Sequence, residues 1–234
     1  MNIELSVVIP AYNEAQRLPS TLSQVKEYLD AEESNYQIIV VDDGSTDATV
    51  SIARQAQVSF PQLQVLENGR NRGKGFSVRS GFLHAGGALV LLTDADLSAP
   101  IGEFEKLRSA LDGNHGAIGS RALRDSQIFR HQPIFRELSG KIFNVIMRIL
   151  TGLSFHDTQC GFKLFRREPF LPVFQAQRSD GFAFDVEILY LARKFGLKVV
   201  EVPVRWGNVA GSRVGLAAGM KSFIEIVKIV WMHR

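Results

Sequence analysis

The sequence predicts an α/β fold: a mostly parallel sheet with helices on both faces, built as a single domain. Three observations predict it. Short β-branched runs alternate with stretches of helical periodicity in the order βαβαβαβ from Leu5 to Thr93. The strand runs are apolar and end in polar or acidic residues, as strands buried on both faces of a parallel sheet do. With 234 residues, 45% of them hydrophobic and 22% charged, the chain can bury a full core without a second module.

Leu5–Ile9 reads as the first strand, and the segment around it, MNIELSVVIPAYNE, lacks the basic region, apolar stretch and small-residue cleavage site of a signal peptide. A helix follows, with Pro19 in its first turn and Leu18, Leu22, Val25 and Leu29 on one stripe. Ile38–Val41 is the second strand. It leads through Gly44-Ser45-Thr46 into a helix over Asp47–Gln57, for which Ser45 or Thr46 is the expected cap. Leu63–Leu66, Phe76–Ala85 and Ala88–Thr93 complete the first half as strand, helix and strand. Beyond them, Glu103–Leu111, Ile134–Leu150 and Asp185–Phe195 read as helices, and Ala117–Ser120 and Lys198–Val204 as strands.

Composition narrows the partners. The formal charge is +3 and the isoelectric point near 9.1, a mild basic excess that does not call for nucleic acid. The excess is local: Arg121, Arg124, Arg130, Arg136, Lys141 and Arg148 face only Asp125 and Glu137 over that stretch, which makes either a cationic binding field or a solvated face. Cys160 is the only cysteine, so no intrachain disulfide forms and a reducing cytoplasm is the expected compartment. No run approaches the roughly 18 to 20 apolar residues of a spanning helix.

Ligands of open parallel sheets bind at the carboxyl ends of the strands. The residues at those ends are Pro10-Ala11-Tyr12-Asn13-Glu14, Asp42-Asp43-Gly44-Ser45 and Asp94-Ala95-Asp96. Asp94 and Asp96 offer hard oxygens to Mg²⁺ or Mn²⁺, which accept one or two carboxylates and fill the remaining positions with water and phosphate oxygens; the same pair also suits a plain strand-end turn. Asp42 and Asp43 either face a ligand or cap the following helix. Asn71-Arg72-Gly73-Lys74-Gly75 mixes glycines and cations ahead of a helix, a pattern that favours an anion. Its spacing is not that of a phosphate-binding P-loop. Asp185 and Glu187 open a helix, where acids also serve its dipole. The five histidines have no metal-ligand spacing, and Cys160 reads as a small buried hydrophobe.

PAYNE at 10–14, VDDGS at 41–45, NRGKG at 71–75 and DAD at 94–96, in that order and spacing, resemble the GT-A-fold family 2 glycosyltransferases. GSR at 119–121, DTQCGFK at 157–163, FDVE at 184–187, and EVPVRW followed by GSR over 201–213 are similar to the dolichyl-phosphate glucosyltransferase and polyprenyl-phosphate glycosyltransferase branch. The resemblance covers nearly the whole chain. It implies one GT-A catalytic domain over residues 1–213, with 214–234 as a C-terminal amphipathic helix of the same domain. It also implies inverting transfer of a hexose, glucose from UDP-glucose first, onto a polyprenyl or dolichyl phosphate. GDP-mannose as donor, or a polysaccharide acceptor, are the alternatives on the same fold.

Residue by residue, the resemblance puts Pro10, Tyr12 and Glu14 against the nucleotide base and ribose, Asp42 on the base side and Asp43 near the ribose. Asp94 and Asp96 would bind Mg²⁺ or Mn²⁺ and Lys74 would help neutralise the donor. Arg121 and Arg136 would lie near the donor diphosphate and the acceptor phosphate, and Arg213 near the phosphates. Asp185 would orient the acceptor or the sugar. Related mannosyltransferases often carry D-A-D-L-Q, whereas this chain has Ser98 in place of the glutamine.

The chemistry is consistent with those residue types. A phosphomonoester acceptor, with a second pKa near 6, is already largely ionised at neutral pH and needs no strong base. It needs cations that let two anions approach. The stretches 141–150 and 221–231 space their basic residues seven apart among apolar ones, Lys141 and Arg148, then Lys221 and Lys228, as helices lying in a membrane interface do; core packing gives the same pattern. Contact with the cytoplasmic face of a membrane would then be peripheral or through a membrane partner protein. A sugar-nucleotidyltransferase would carry a glycine- and arginine-rich loop where PAYNE stands. A phosphorylation receiver would carry its acid pair after the first strand rather than the second.

Overall fold

The computed structural model describes residues 3–32, 35–130, 145, 147–208 and 225–233. In chain order its elements are β1 Leu5–Ala11, α1 Leu18–Glu32, β2 Tyr36–Asp42, α2 Thr49–Ser59, β3 Leu63–Glu67, α3 Lys74–His84, β4 Leu89–Leu92, a 3-10 turn Ile101–Glu103, α4 Phe104–Ser109, β5 Gly116–Ser120, β6 Gln127–Arg130, β7 Lys163–Arg166, α5 Arg167–Ala176, α6 Phe184–Lys194, β8 Val199–Pro203 and β9 Arg205–Gly207. Residues 147–151 and 225–232 are also helical.

Among the described residues the main sheet has the order β3-β2-β1-β4-β7-β5-β8, and β6 pairs with β9 in a small second sheet. Every pair in the main sheet is parallel except those of β7, which runs antiparallel to β4 and β5. The mostly parallel α/β class expected from the sequence is the observed one. Side chains alternate across it. Val7, Ile9, Ile38 and Val40 join the core under α1, α2 and α4, while Val8, Ile39 and Val41 join the core under α3, α5 and α6. The predicted stripe of α1, Leu18, Leu22, Val25 and Leu29, is buried. Gly81 lets α3 lie directly on β1, since a Cβ there would come within 2.3 Å of Val8 Cγ1.

One expectation is corrected, and two elements went unread. Neither Ser45 nor Thr46 caps α2: the helix starts at Thr49, whose amide donates to Oδ1 of Asp47 at 3.0 Å, and Ser45 Oγ instead accepts the Asn13 amide at 2.8 Å. The stretch between the expected strands contains β7, hidden because Lys163 interrupts its apolar run. It also contains α5, hidden because Pro169 and Pro172 lie in it; Phe170, Val173 and Phe174 nonetheless bury one helical face. Most of the helix expected over 134–150 lies outside the described residues, as do Arg136 and Arg213.

The chain's last helix packs on the domain. Ile226 and Ile229 are buried, and Nε2 of His233 lies 2.6 Å from the buried Glu187 Oε1. Val227 and Trp231, on another side, are 49% and 74% exposed. Consecutive residues at the end of α6 hold two helix ends side by side. Arg193 donates to the carbonyls of Thr151 and Gly152 at 3.0 and 2.7 Å, and Lys194 Nζ donates to that of His233.

Phe82 of α3 stacks on Phe174 of α5 with ring centroids 3.7 Å apart, and both rings are fully buried. Phe174→Ala is expected to cost about 3–5 kcal/mol through lost burial and the cavity left behind, read as a shift in the urea unfolding midpoint at constant slope.

Candidate active site

The fold gathers the site at one edge. The carboxyl ends of β1 and β2 lie in register, Ala11 beside Asp42, and β4 ends next to them. Because β7 runs against β4, with Lys163 opposite Leu92, its amino end arrives at the same edge. The segment 157–163, the end of β5 and the Asp94 turn are thereby brought together.

The loops after β1 and β2 are laced to each other. Asn13, with φ of 55°, accepts at its Oδ1 from the Thr46 amide at 2.7 Å and from the Asp47 amide at 3.3 Å. Glu14 forms a bidentate pair with Arg17 at 2.6 and 2.8 Å, and its amide donates to Thr49 Oγ1. Tyr12 is exposed beside them. Asp42 uses Oδ2 to accept the amides of Gly44 and Ser45 at 2.9 and 3.0 Å. Its Oδ1 is buried and has no hydrogen-bond partner among the described residues. Leaving a buried acceptor unpaired costs about 1–3 kcal/mol.

Asp43 does something the sequence did not disclose: it builds the loop that carries Lys74. Its Oδ1 accepts the Arg72 amide and the Asn68 side chain, and its Oδ2 accepts the Gly73 amide, all at 2.9 Å. Gly73 is required there, since its φ is 105° and a Cβ would lie 2.3 Å from the carbonyl oxygen of Asp180.

Asp94 begins a turn closed by the Leu97 amide, which donates to the Asp94 carbonyl at 3.1 Å; Leu97 itself takes a left-handed φ of 46°. Such strain in a bulky residue is held only where neighbours fix it. Asp96 Oδ1 accepts the Ser98 amide at 2.9 Å. Asp94 Oδ1 pairs with Lys74 Nζ at 2.5 Å. Nearby, Lys163 is buried and bridges the Asp185 carboxylate and the Cys160 carbonyl. Asp157 grips Arg121 through Nε at 2.6 Å, Nη2 at 2.9 Å and the amide at 3.0 Å, while the guanidinium lies 5.2 Å from the Trp206 ring centre.

These charges tune one another. Burial alone would raise the Asp94 carboxyl, but Lys74, with Lys163 and Arg121, holds it below the usual carboxylate range. Burial likewise opposes the charge of Lys74, and Asp94 and Asp185 outweigh it, so the ammonium is held above its ordinary range. For Asp185, burial prevails over Lys163 and Lys74 and pushes the carboxyl up. Asp157 is held down, its burial overcome by Arg121. Burial, helped by Asp157, pushes the Cys160 thiol up to about 11, which leaves it protonated and inert at neutral pH.

The structure thus brings Asp94, Asp96, Lys74, Arg121 and Asp185 into one cluster, with Pro10, Tyr12, Glu14, Asp42 and Asp43 in the adjoining loops. Asp157, Lys163 and Gly161 were missed. The signal for Lys163 was available: a lysine between Phe162 and Leu164 in a strand must find an acid. Asp94 and Asp96 supply hard oxygens, and among the described residues no three His, Cys, Asp or Glu groups converge. A cation there would complete its shell with water or ligand oxygens, as Mg²⁺ and Mn²⁺ do, so the donor set fits.

Residues 6–174 match the family described as Glycosyl transferase family 2. A dolichyl-phosphate beta-glucosyltransferase of Drosophila melanogaster is 40% identical over 229 residues, covering 91% of this chain and 70% of that protein. The dolichyl-phosphate beta-glucosyltransferase of Homo sapiens is 35% identical over 225 residues, covering 90% and 69%. Among solved structures, a glucosyl-3-phosphoglycerate synthase from Mycobacterium tuberculosis in complex with Mn²⁺, UDP-glucose and phosphoglyceric acid shares the fold, with a TM-score of 0.72 at 19% identity over 98% of this chain and 80% of that one. The matched span runs through the loops that carry Asp42, Asp43, Lys74, Asp94 and Asp96 on a GT-A-like sheet, and the chain belongs to glycosyl transferase family 2.

Proposed function

We propose that this glycosyltransferase moves glucose from UDP-glucose onto the phosphate of a polyprenyl or dolichyl lipid, with inversion at the anomeric carbon. The observation that carries the reading is the meeting of Lys74–Asp94 and Arg121–Asp157 at the sheet edge beside Asp42. Cations suited to two phosphates share a sheet edge with a buried acceptor suited to a base N–H. The relatives' names supply the sugar and the lipid, and the Mn²⁺ and UDP-glucose complex of the structural neighbour supplies the donor and metal.

In this reading Asp42 Oδ1 takes an N–H of the base, with Pro10, Tyr12 and Glu14 shaping the base and ribose pocket. Asp43 supports the ribose side through the loop it holds. Lys74 offsets the donor diphosphate, and Asp94 and Asp96 hold Mg²⁺ or Mn²⁺, which would stabilise the charge that develops on the departing diphosphate. Arg121, held in place by Asp157, and Arg136 neutralise the acceptor phosphate; Arg213 adds charge near the phosphates. Asp185, fixed by Lys163, orients the sugar or the acceptor. A phosphate oxygen of the acceptor attacks C1 of glucose as the bond from C1 to the diphosphate oxygen breaks, and UDP leaves with the electron pair. The acceptor is already ionised, so no protein base is required.

Incubation with a panel of nucleotide-sugars and a short polyprenyl phosphate tests the donor: UDP release from UDP-glucose, dependent on the lipid, is expected. Release of GDP from GDP-mannose alone would overturn it. Asp96→Asn should abolish transfer, Asp94→Asn should reduce it severely, and EDTA should mimic both; full activity after EDTA treatment would remove the metal from the account. Arg136→Ala should raise the KM for the lipid phosphate about tenfold or more, the loss of one charge-assisted phosphate contact, with a smaller effect on the donor. An equal rise in both would reassign Arg136.

Among the described residues no helix is long and apolar enough to cross a membrane. We infer peripheral contact through the exposed sides of the helices that Arg193 and Lys194 hold together: Val145 and Ile149 near one, Val227, Lys228 and Trp231 on the other. Deleting the last helix would also uncover Ile226 and Ile229, so a surface substitution is the cleaner test. Val227→Ser with Trp231→Ser should weaken co-sedimentation with anionic vesicles several-fold and leave the melting temperature unchanged. Lys228 adds about 1 kcal/mol that salt screens. Unchanged binding would place the contact elsewhere.

A further inference from the structure

Lys74 is anchored at its backbone and mobile at its tip. It opens α3 directly after Gly73, whose contact with Asp180 admits no side chain, and Asp43 holds the two preceding amides. The ammonium is carried on a flexible four-carbon stem. It lies 2.5 Å from Oδ1 of Asp94, and 23% of the Lys74 side chain and 34% of the Asp94 side chain reach solvent, so the pair is partly open to water and ligands. On its other side the Asp94 carboxylate packs against Gly161, where a Cβ would lie 2.1 Å from Oδ2 and 2.7 Å from Oδ1. Lys74 thus holds Oδ1, an oxygen that a divalent ion at Asp94 would also seek.

A divalent ion and an ammonium conflict at that oxygen. Mg²⁺ binds a carboxylate oxygen at about 2.0–2.1 Å, which would crowd three positive charges around one carboxylate group if Lys74 stayed. A diphosphate resolves the conflict because it brings negative oxygens for both cations. We propose that Lys74 is a placeholder cation: it occupies Asp94 in the donor-free protein and moves to the nucleotide diphosphate when a divalent ion takes Asp94. The proposal rests on the donor reading above and adds an order to it, with metal and nucleotide each strengthening the other's binding. Linkage requires that strengthening to be reciprocal.

Isothermal titration of the full chain with Mn²⁺, in the absence and presence of UDP, tests this on wild type, Lys74→Met and Lys74→Arg. In wild type, UDP should tighten Mn²⁺ binding about tenfold or more, within the usual span of coupling between sites. Lys74→Met should bind Mn²⁺ alone about tenfold more tightly than wild type, since the competing charge is gone, and lose most of the coupling to UDP. Lys74→Arg should keep the wild-type pattern. A purely structural role for Lys74 predicts the opposite sign, weaker Mn²⁺ binding by Lys74→Met. Equal or weaker binding by that variant, or wild-type Mn²⁺ affinity indifferent to UDP that does bind, would overturn the proposal. Absence of UDP binding at any Mn²⁺ concentration would instead sink the donor reading, and the titration with Mn²⁺ alone would still decide the role of Lys74.

Discussion

The need to pair every charge buried at the carboxyl edge of the sheet organises the rest of the structure. Removing an ion from water costs several kcal/mol even after the protein relaxes, and breaking a buried pair by deleting one partner costs about 3–5 kcal/mol. Lys163 on Asp185 meets this in full burial, and Lys74 on Asp94 and Arg121 on Asp157, partly open to solvent, extend the pairing to the rim. Each pairing dictates backbone. Lys163 reaches Asp185 because β7 is inserted antiparallel between β4 and β5. Gly161 lets the segment before β7 lie against Asp94, and Gly75 lets α3 meet the carbonyls of Ser179 and Gly181, each within 3 Å of where a Cβ would stand. The glycines of NRGKG and CGFK are thus consequences of charge pairing.

Asp43 and Glu187 extend the same logic to the loops. Asp43 takes two amides and a side-chain amide of the segment before α3. Glu187, fully buried, takes the amides of Arg178 and Ser179 and faces His233. The loop that Glu187 orders packs on Gly73 and Gly75, and the Asp180 carbonyl accepts the Phe76 amide at 3.2 Å. The position of Lys74 is therefore set from both sides, by an acid at the end of β2 and by an acid within α6. The last helix is tied to the second of these through His233.

Much of this was legible in the sequence, and the reason is periodicity. Strands buried on both faces are continuous apolar runs, and the acids at their ends stood out as interruptions, which located Asp42, Asp43, Asp94 and Asp96. What was illegible depended on partners distant in sequence. β7 was obscured by Lys163, a residue whose burial makes sense only with Asp185 in place, and α5 by two prolines that its packing tolerates. The loop that Asp43 builds through the Asn68, Arg72 and Gly73 amides could not be read from its place after β2. Asp185 and Glu187, equally readable as solvated helix-start acids, are buried and engaged. The roles of Arg136 and Arg213 lie outside the described residues and rest on the family resemblance.

In the proposed reaction, a single displacement, the described residues supply cations and position. Cys160 is protonated and buried, and Asp157 and Asp185 are paired with Arg121 and Lys163. A single displacement on an α-linked donor has one stereochemical outcome. The most direct measurement is the anomeric configuration of the product formed from UDP-glucose and a short polyprenyl phosphate, read from the proton coupling at C1 by nuclear magnetic resonance. A β-glucosyl phosphate is predicted. An α-glucosyl phosphate, or glucose attached elsewhere than at the lipid phosphate, would contradict the account.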